Sequence, residues 1–169
     1  MKKLISKAAL HGRVRALARR LDRDYRNRRP VLVGILKGAF VFLADLARQM
    51  TVPLEIDFLS INSYNGRRSS GIVRMTGDLS RSIEGRDVIV IEDIIDTGRT
   101  ISYILDNLKT RRPRSLSVCT LLNKKADRIV DVPVRYVGFE IPPVFVVGYG
   151  LDQNDQYRNL DYIGVIDAE

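Results

Sequence analysis

The segment Val88 to Thr100, VIVIEDIIDTGRT, concentrates the residues most able to do chemistry. Its apolar run suits a strand buried on both faces of a parallel sheet, and the carboxylates Glu92 and Asp93 stand at the end of that run. Asp96-Thr97-Gly98-Arg99-Thr100 then leads into Ile101, Ile104, Leu105 and Leu108, spaced as on the apolar face of a helix. In open α/β sheets ligands bind beyond the carboxyl ends of the strands, which is where these residues fall. Gly98 permits a tight turn, Thr97 and Thr100 offer hydroxyls, and the first N–H groups of the helix make an anion site suited to a monophosphate. No GxxxxGK[ST] or GxGxxG pattern occurs, so the segment is neither a Walker loop nor a dinucleotide fingerprint. Two carboxylates repel a phosphate but accept hydrogen bonds from a sugar diol. Loop and acid pair together point to a ribose 5-phosphate.

Strands alternating with helices must hold that loop in place. VLVGIL at 31–36 precedes Lys37 and Gly38, and AFVFLADLARQM after them predicts a helix with Phe42, Leu43, Leu46 and Ala47 on one face. LEIDFLSI at 54–61, LSVCTLL at 116–122, VRYVGF at 134–139 and VFVVGYG at 144–150 are further strand candidates. Val14, Leu17, Ala18 and Leu21 recur at helical spacing among the arginines of 13–29, as in an amphipathic helix with a solvated basic face. This alternation predicts an α/β fold with a parallel core sheet flanked by helices. Pro113, Pro133, Pro142 and Pro143 mark turns rather than a linker, so residues 1–169 are expected to form one domain. The aromatic and turn-rich carboxyl third is expected to cover one end of the sheet as a small hood, with a possible amino-terminal contribution.

The 169 residues include 28 Lys and Arg against 20 Asp and Glu, a formal charge of +8. Such a surplus attracts nucleic acid, anionic membranes or multiply phosphorylated small substrates. A single cysteine, Cys119, and a single histidine, His11, exclude an internal disulfide and leave no soft-ligand set for structural zinc. Lys7 interrupts the amino-terminal apolar run, and no apolar stretch approaches the roughly 20 residues of a membrane helix. A cytoplasmic protein with no membrane partner is expected.

The segment EDIIDTG resembles the phosphoribosyl pyrophosphate-binding motif of type I phosphoribosyltransferases, in the form of the hypoxanthine-guanine branch. Leu36-Lys37-Gly38, Ser63-Tyr64, Leu121-Leu122 with Lys124, VGFEIP at 137–142 and FVVGYGLD at 145–152 with Arg158 extend the resemblance across most of the chain. It implies the type I phosphoribosyltransferase fold and transfer of phosphoribose to hypoxanthine or guanine, giving IMP or GMP and pyrophosphate, with Mg2+ as cofactor.

The resemblance also implies roles. Glu92 and Asp93 would hold the ribose hydroxyls, Asp96, Thr97, Gly98, Arg99 and Thr100 the 5-phosphate, and Asp96 would accept the purine's proton at N7. A helix N-cap is the plainer role for Asp96. Lys124 would meet the 6-oxo group, with Lys125 a chemical competitor; Phe145 would stack on the purine and the Val146 backbone would read its edge. Asp152 would stand beside the purine and, with Glu92 and Asp93, hold magnesium. Lys37, Gly38, Arg128 and Arg158 would contact pyrophosphate, although KKADR offers other cations than Arg128 and Lys37 could simply end its strand. The peptide before Lys37 can be cis in the resembled family.

Ser63 and Tyr64 would belong to a mobile loop running to Gly71 that closes over the reactants, unless that stretch is only a linker. Arg99 departs from the lysine of some relatives, and Pro143 stands where an acidic residue is usual. A dimer or tetramer is usual for the resembled family. A xanthine-preferring enzyme and a nucleic-acid-binding regulator of the same fold are the alternatives, and nucleic acid is the less favoured partner because no appended binding motif supports it.

Overall fold

The computed structural model describes residues 1–63 and 73–166. In chain order the elements are β1 (Lys2–Ile5), α1 (Lys7–Asp24), β2 (Val31–Leu36), α2 (Phe40–Gln49), β3 (Glu55–Ser63), β4 (Val73–Gly77), β5 (Asp87–Ile95), α3 (Arg99–Lys109), β6 (Ser115–Asn123), β7 (Tyr136–Glu140), β8 (Val146–Val147) and β9 (Ile163–Val165). The six-stranded sheet has the order β4-β3-β2-β5-β6-β7. All its pairings are parallel except β3 with the edge strand β4. This is the α/β architecture that the alternating pattern predicts, and the near-continuous apolar run of β5 lies at its centre.

Two cores sandwich the sheet. Leu32, Ile89 and Ile91 pack with the apolar sides of α1 and α2, while Val33, Val88 and Val90 pack with Ile101, Ile104, Leu105 and Leu108 of α3. Helix α1 starts at Ser6, whose hydroxyl accepts the Ala9 N–H at 3.2 Å, and buries Leu10, Val14, Leu17, Ala18 and Leu21. Helix α2 crosses β2 so closely that a Cβ on Gly34 would stand 2.6 Å from the Leu43 side chain. No helix among the described residues is long and apolar enough to cross a membrane.

Strands β1, β4 and β9 lack a clear sequence signal. Strands β1, β8 and β9 form a second sheet in the order β1-β9-β8, joining the two ends of the chain. Only Val146–Val147 of the expected 144–150 strand pairs, because Gly148, Tyr149 and Gly150 all have left-handed backbone, with φ of 99°, 52° and 104°. That backbone turns the chain out of the ladder. Tyr64 and the rest of the expected mobile loop lie outside the described residues, and Ser63 marks the end of β3.

At its amino end β5 opens on a carboxylate withdrawn from solvent. Asp87 is 0% exposed and accepts Arg114 Nε at 3.1 Å, a second Arg114 nitrogen, Ser115 Oγ at 2.6 Å and Arg28 Nη1 at 3.4 Å. The Arg114 guanidinium holds this carboxyl below the usual aspartate range. Its stabilisation is therefore complete above the ordinary aspartate pKa and is lost as pH falls through the depressed folded value. Asp87→Asn should lower stability by about 1 to 3 kcal/mol at neutral pH. Urea unfolding across a pH series should show the gap between the two proteins closing in acid; a gap independent of pH would contradict the assignment.

Candidate active site

Beyond the carboxyl end of β5 the chain turns through Gly98 at φ 84° into α3. A Cβ at Gly98 would lie 2.3 Å from the Val130 carbonyl oxygen, so only glycine fits the turn against its neighbour. The N–H groups of Ile129 and Val130 both donate to the Thr97 carbonyl at 2.9 Å, and Arg128 Nε donates to the Asp96 carbonyl at 3.0 Å. A second Arg128 nitrogen reaches the Asn123 side chain. Held from outside in this way, the loop keeps its shape with no side-chain cap on α3, whose N-cap is Gly98. The Arg99 N–H donates to Thr97 Oγ1 at 3.4 Å, and the Thr100 and Ile101 amides after it are left available to an anion.

The Asp96 carboxylate is thus not used as a helix cap. It faces Lys124 Nζ at 3.6 Å, and Lys124 is only 7% exposed, its N–H tied to the Ile95 carbonyl at 2.9 Å. Lys125, the chemical competitor, points elsewhere and pairs with Glu140 at 2.5 Å. A half-exposed carboxylate and a buried ammonium therefore stand side by side over the loop. One can take a proton and the other can only donate.

Glu92 and Asp93 lie between this loop and the turn after β2. Burial pushes both carboxyls above their ordinary values, and the neighbouring Asp93 charge adds to the rise at Glu92. Asp93 Oδ1 accepts the Ile94 N–H at 2.8 Å, while its Oδ2 lies 1.7 Å from where a Cβ on Gly38 would be. Gly38 follows a cis Leu36–Lys37 peptide.

The carboxyl-terminal residues close the other side. A Cβ on Gly150 would come within 2.2 Å of the Gly38 carbonyl oxygen, so the two turns meet backbone to backbone. Arg158 pairs with Asp152 at 2.7 Å and Asp155 at 3.2 Å and donates to the Gly150 carbonyl at 2.7 Å. Lys37 Nζ meets Asp155 at 3.1 Å. Its hydrogen bond, followed by that of Arg158, holds the Asp155 carboxyl below the usual range. Tyr149, buried, donates its hydroxyl to Asp45 of α2 at 2.6 Å. Phe145 presents a ring 50% exposed beside buried Val146.

Lys37, Gly38, Asp152 and Arg158 thus converge, with Asp93 against Gly38. Arg128 stands on the side of the Asp96–Thr100 loop, bonded to Asp96 and Asn123. Asp155, Asn123 and the Tyr149–Asp45 pair escaped the sequence reading. Asp155 lies in DQNDQYR, a polar run without periodicity, and the other three depend on contacts between distant segments.

A family model described as the phosphoribosyl transferase domain matches residues 5–154. The chain belongs to this family. Among phosphoribosyltransferase relatives, it is 45% identical over 166 residues to the hypoxanthine-guanine phosphoribosyltransferase of Bacillus subtilis, covering 98% of this chain and 92% of that protein. It is 50% identical over 169 residues to a Listeria monocytogenes protein named bifunctional protein TilS/HprT, covering 99% of this chain and 26% of that protein. The chain thus spans about a quarter of the length of that Listeria relative. A crystal structure of a hypoxanthine-guanine phosphoribosyltransferase from Bacillus anthracis, with HEPES in its active site, superposes with a TM-score of 0.94 at 41% identity and covers 99% of each chain. A hypoxanthine phosphoribosyltransferase from Staphylococcus aureus does so at 0.93 and 42%, covering 98% of this chain and 91% of that one. The phosphoribosyltransferase fold expected from the resemblance is the fold observed.

In this phosphoribosyltransferase the acid pair opposes folding. A carboxyl whose pKa is raised in the folded state loses stability as pH rises from the ordinary carboxylate value towards the folded one. In magnesium-free buffer Glu92→Gln should raise the melting temperature at neutral pH by roughly 2 to 4 °C, the shift that about 1 kcal/mol produces at this size. The gain should vanish near pH 4, where both forms are neutral. Thermal scans showing an unchanged or lower melting temperature at neutral pH would refute it.

Proposed function

We propose that this phosphoribosyltransferase moves the 5-phosphoribosyl group from phosphoribosyl pyrophosphate to hypoxanthine and guanine, giving IMP or GMP and pyrophosphate. Bond formation from purine N9 to the anomeric carbon accompanies loss of pyrophosphate, and the purine's proton passes to Asp96. The Asp96–Lys124 pair carries this reading. Lys124 is buried where it can only donate, which suits the 6-oxo acceptor of hypoxanthine and guanine and not the amino group of adenine. Phe145 supplies an exposed ring for stacking, and the uncapped start of α3, with Thr97 and Thr100, the 5-phosphate cradle. Lys37, Gly38 and Arg158 would receive the pyrophosphate, and Arg128 would brace the loop beneath it.

Magnesium is part of the proposal, and the donors fit it. They are hard carboxylate oxygens, and among the described residues no three His, Cys, Asp or Glu converge to hold a metal by themselves. This matches an ion that takes one or two carboxylates and completes its shell with substrate phosphates and water. Glu92 and Asp93 on the ribose side and, separately, Asp152 on the pyrophosphate side would each offer carboxylate oxygens to magnesium, which would shield the leaving group's charge. Cys119 is buried, its thiol pushed up to about 12 by burial, so it takes no part in the chemistry. A cytoplasmic setting belongs to the same proposal.

Pyrophosphate release should depend on magnesium and should occur with hypoxanthine and guanine, whereas adenine should be slower by roughly 10⁴ or more. Xanthine turned over faster than both would favour the xanthine-preferring alternative, and activity with none of the four would overturn the reading. Asp96→Asn should reduce turnover by about 10²- to 10⁴-fold without lowering the melting temperature.

We further propose a homodimer or homotetramer. Ile56 and Phe58 remain exposed on the α2 side of β3, and Phe40 is exposed where α2 begins, leaving apolar area for a second copy. Light scattering should give a multiple of the 19.2 kDa chain, with Phe58→Glu shifting it towards a single chain. A wild-type monomer would refute this.

A further inference from the structure

The charge of the chain is divided unevenly. Residues 1–29 hold eleven Lys and Arg against two Asp, whereas the remaining 140 hold 17 basic and 18 acidic side chains. The whole surplus therefore lies in the first 29 residues, outside the site described above. Both aspartates there are already engaged. Asp22 accepts the N–H groups of Thr51 and Val52 at 2.9 and 3.1 Å, and Asp24 accepts the Tyr136 hydroxyl at 2.9 Å and pairs with Arg135.

On α1, Arg15, Arg19 and Arg23 follow one another four residues apart on the exposed side, about 6 Å apart along the axis. On its flank the guanidinium groups of Arg13 and Arg20 lie over the rings of Phe139 and Tyr136, at 5.1 and 4.8 Å. Among the described residues no carboxylate lies within ion-pair distance of Arg13, Arg15, Arg19 or Arg20. Like charges four apart oppose a helix, and the first turn of α1 has no acid to meet its positive end. Among the described residues only Arg23 of this row has a carboxylate beside it, Asp24 at 3.5 Å, and that carboxylate is shared with Arg135 and Tyr136.

We propose that the outer face of α1 binds the phosphate backbone of nucleic acid. Arginine is suited to it, since its planar fork grips phosphate oxygens in pairs, and a row repeated every 6 Å or so can meet successive phosphates of one strand. An anionic membrane is the poorer fit. The apolar stripe of α1 is buried in the core, and no large apolar side chain is exposed between Lys7 and Arg29, so the helix has nothing to insert between lipids. The contact is to backbone rather than bases, so binding is independent of sequence and strongly salt-dependent.

Fluorescence anisotropy with a labelled RNA hairpin of about 24 nucleotides, titrated with the full chain between about 50 and 200 mM salt, tests this. The logarithm of affinity should fall against the logarithm of salt with a slope of roughly −4, the value for about five phosphate contacts. The double variant Arg15→Glu, Arg23→Glu should lose about 30-fold in affinity or more and flatten the slope by about two contacts. It places carboxylates four residues on either side of Arg19, so its melting temperature should not fall and weaker binding is not misfolding. The Arg15→Lys, Arg23→Lys variant should keep most of the slope, and pyrophosphate release should be unchanged in both.

Absence of binding at the lowest salt, or equal binding by the Glu variant, would overturn the proposal. So would equal affinity for phosphatidylserine vesicles, or a fall in kcat/KM for phosphoribosyl pyrophosphate without a change in RNA binding, which would make the face a membrane anchor or a steering surface. These readouts are separate from the purine panel, so either reading can fail alone.

Discussion

The missing side chain at residue 38 is the constraint around which the site is built. Because Gly38 has no Cβ, the Asp93 carboxylate can lie against the turn after β2, and the Gly150 backbone can press onto the Gly38 carbonyl from the other side. Three segments far apart in the chain meet at this point: the ends of β2 and β5 and the turn after β8. Any side chain at 38 would push them apart. The bonds around the junction, Lys37 to Asp155, Arg158 to Gly150 and Tyr149 to Asp45, then determine how the carboxyl-terminal turn sits over the sheet.

Strand β5 shows how stability and chemistry divide along one element. At its start Asp87 has cations and a hydroxyl to meet its charge, which favours the folded state. At its end Glu92 and Asp93 are buried beside each other, and burial raises both pKa values. The same nine-residue strand thus carries a carboxylate that holds the fold together and two that strain against it. The parallel pairings to β2 and β6 are what keep the second pair at the carboxyl edge of the sheet, beside the Asp96–Thr100 loop.

Much of this was legible in the residues. The apolar run of β5, the spacing of Ile101 to Leu108 and the alternation after Pro30 identify strands, helix and fold class, because burial on two faces of a parallel sheet leaves a plain hydrophobic signature. The loop Asp96 to Thr100 was legible for the same reason, since its residue types have few other uses together. The small sheet was not: β8 is a remnant of the run expected at 144–150, while β1 and β9 are four and three residues long, too short for periodicity, and pair across a long separation in sequence. Chemistry alone could not separate Lys124 from Lys125; the resemblance chose Lys124, and the neighbours the two find in space, Asp96 and Glu140, set them apart. The basic surplus was plain from composition, but that its aspartates are already engaged elsewhere required the contacts.

The second sheet also has a bearing on the order of events during synthesis. Strand β1 is made before every strand of the large sheet, yet its partner β9 follows all of them, with Lys2 opposite Val165 and Ile5 opposite Ile163. Until then β8, which sets Phe145 and Val146 beside the sheet's edge, has no strand to lean on. A nascent chain can therefore assemble the large sheet and the Asp96–Thr100 loop before β9 exists, but the segment carrying Phe145 and Val146 gains its strand partner only once β9 has been made.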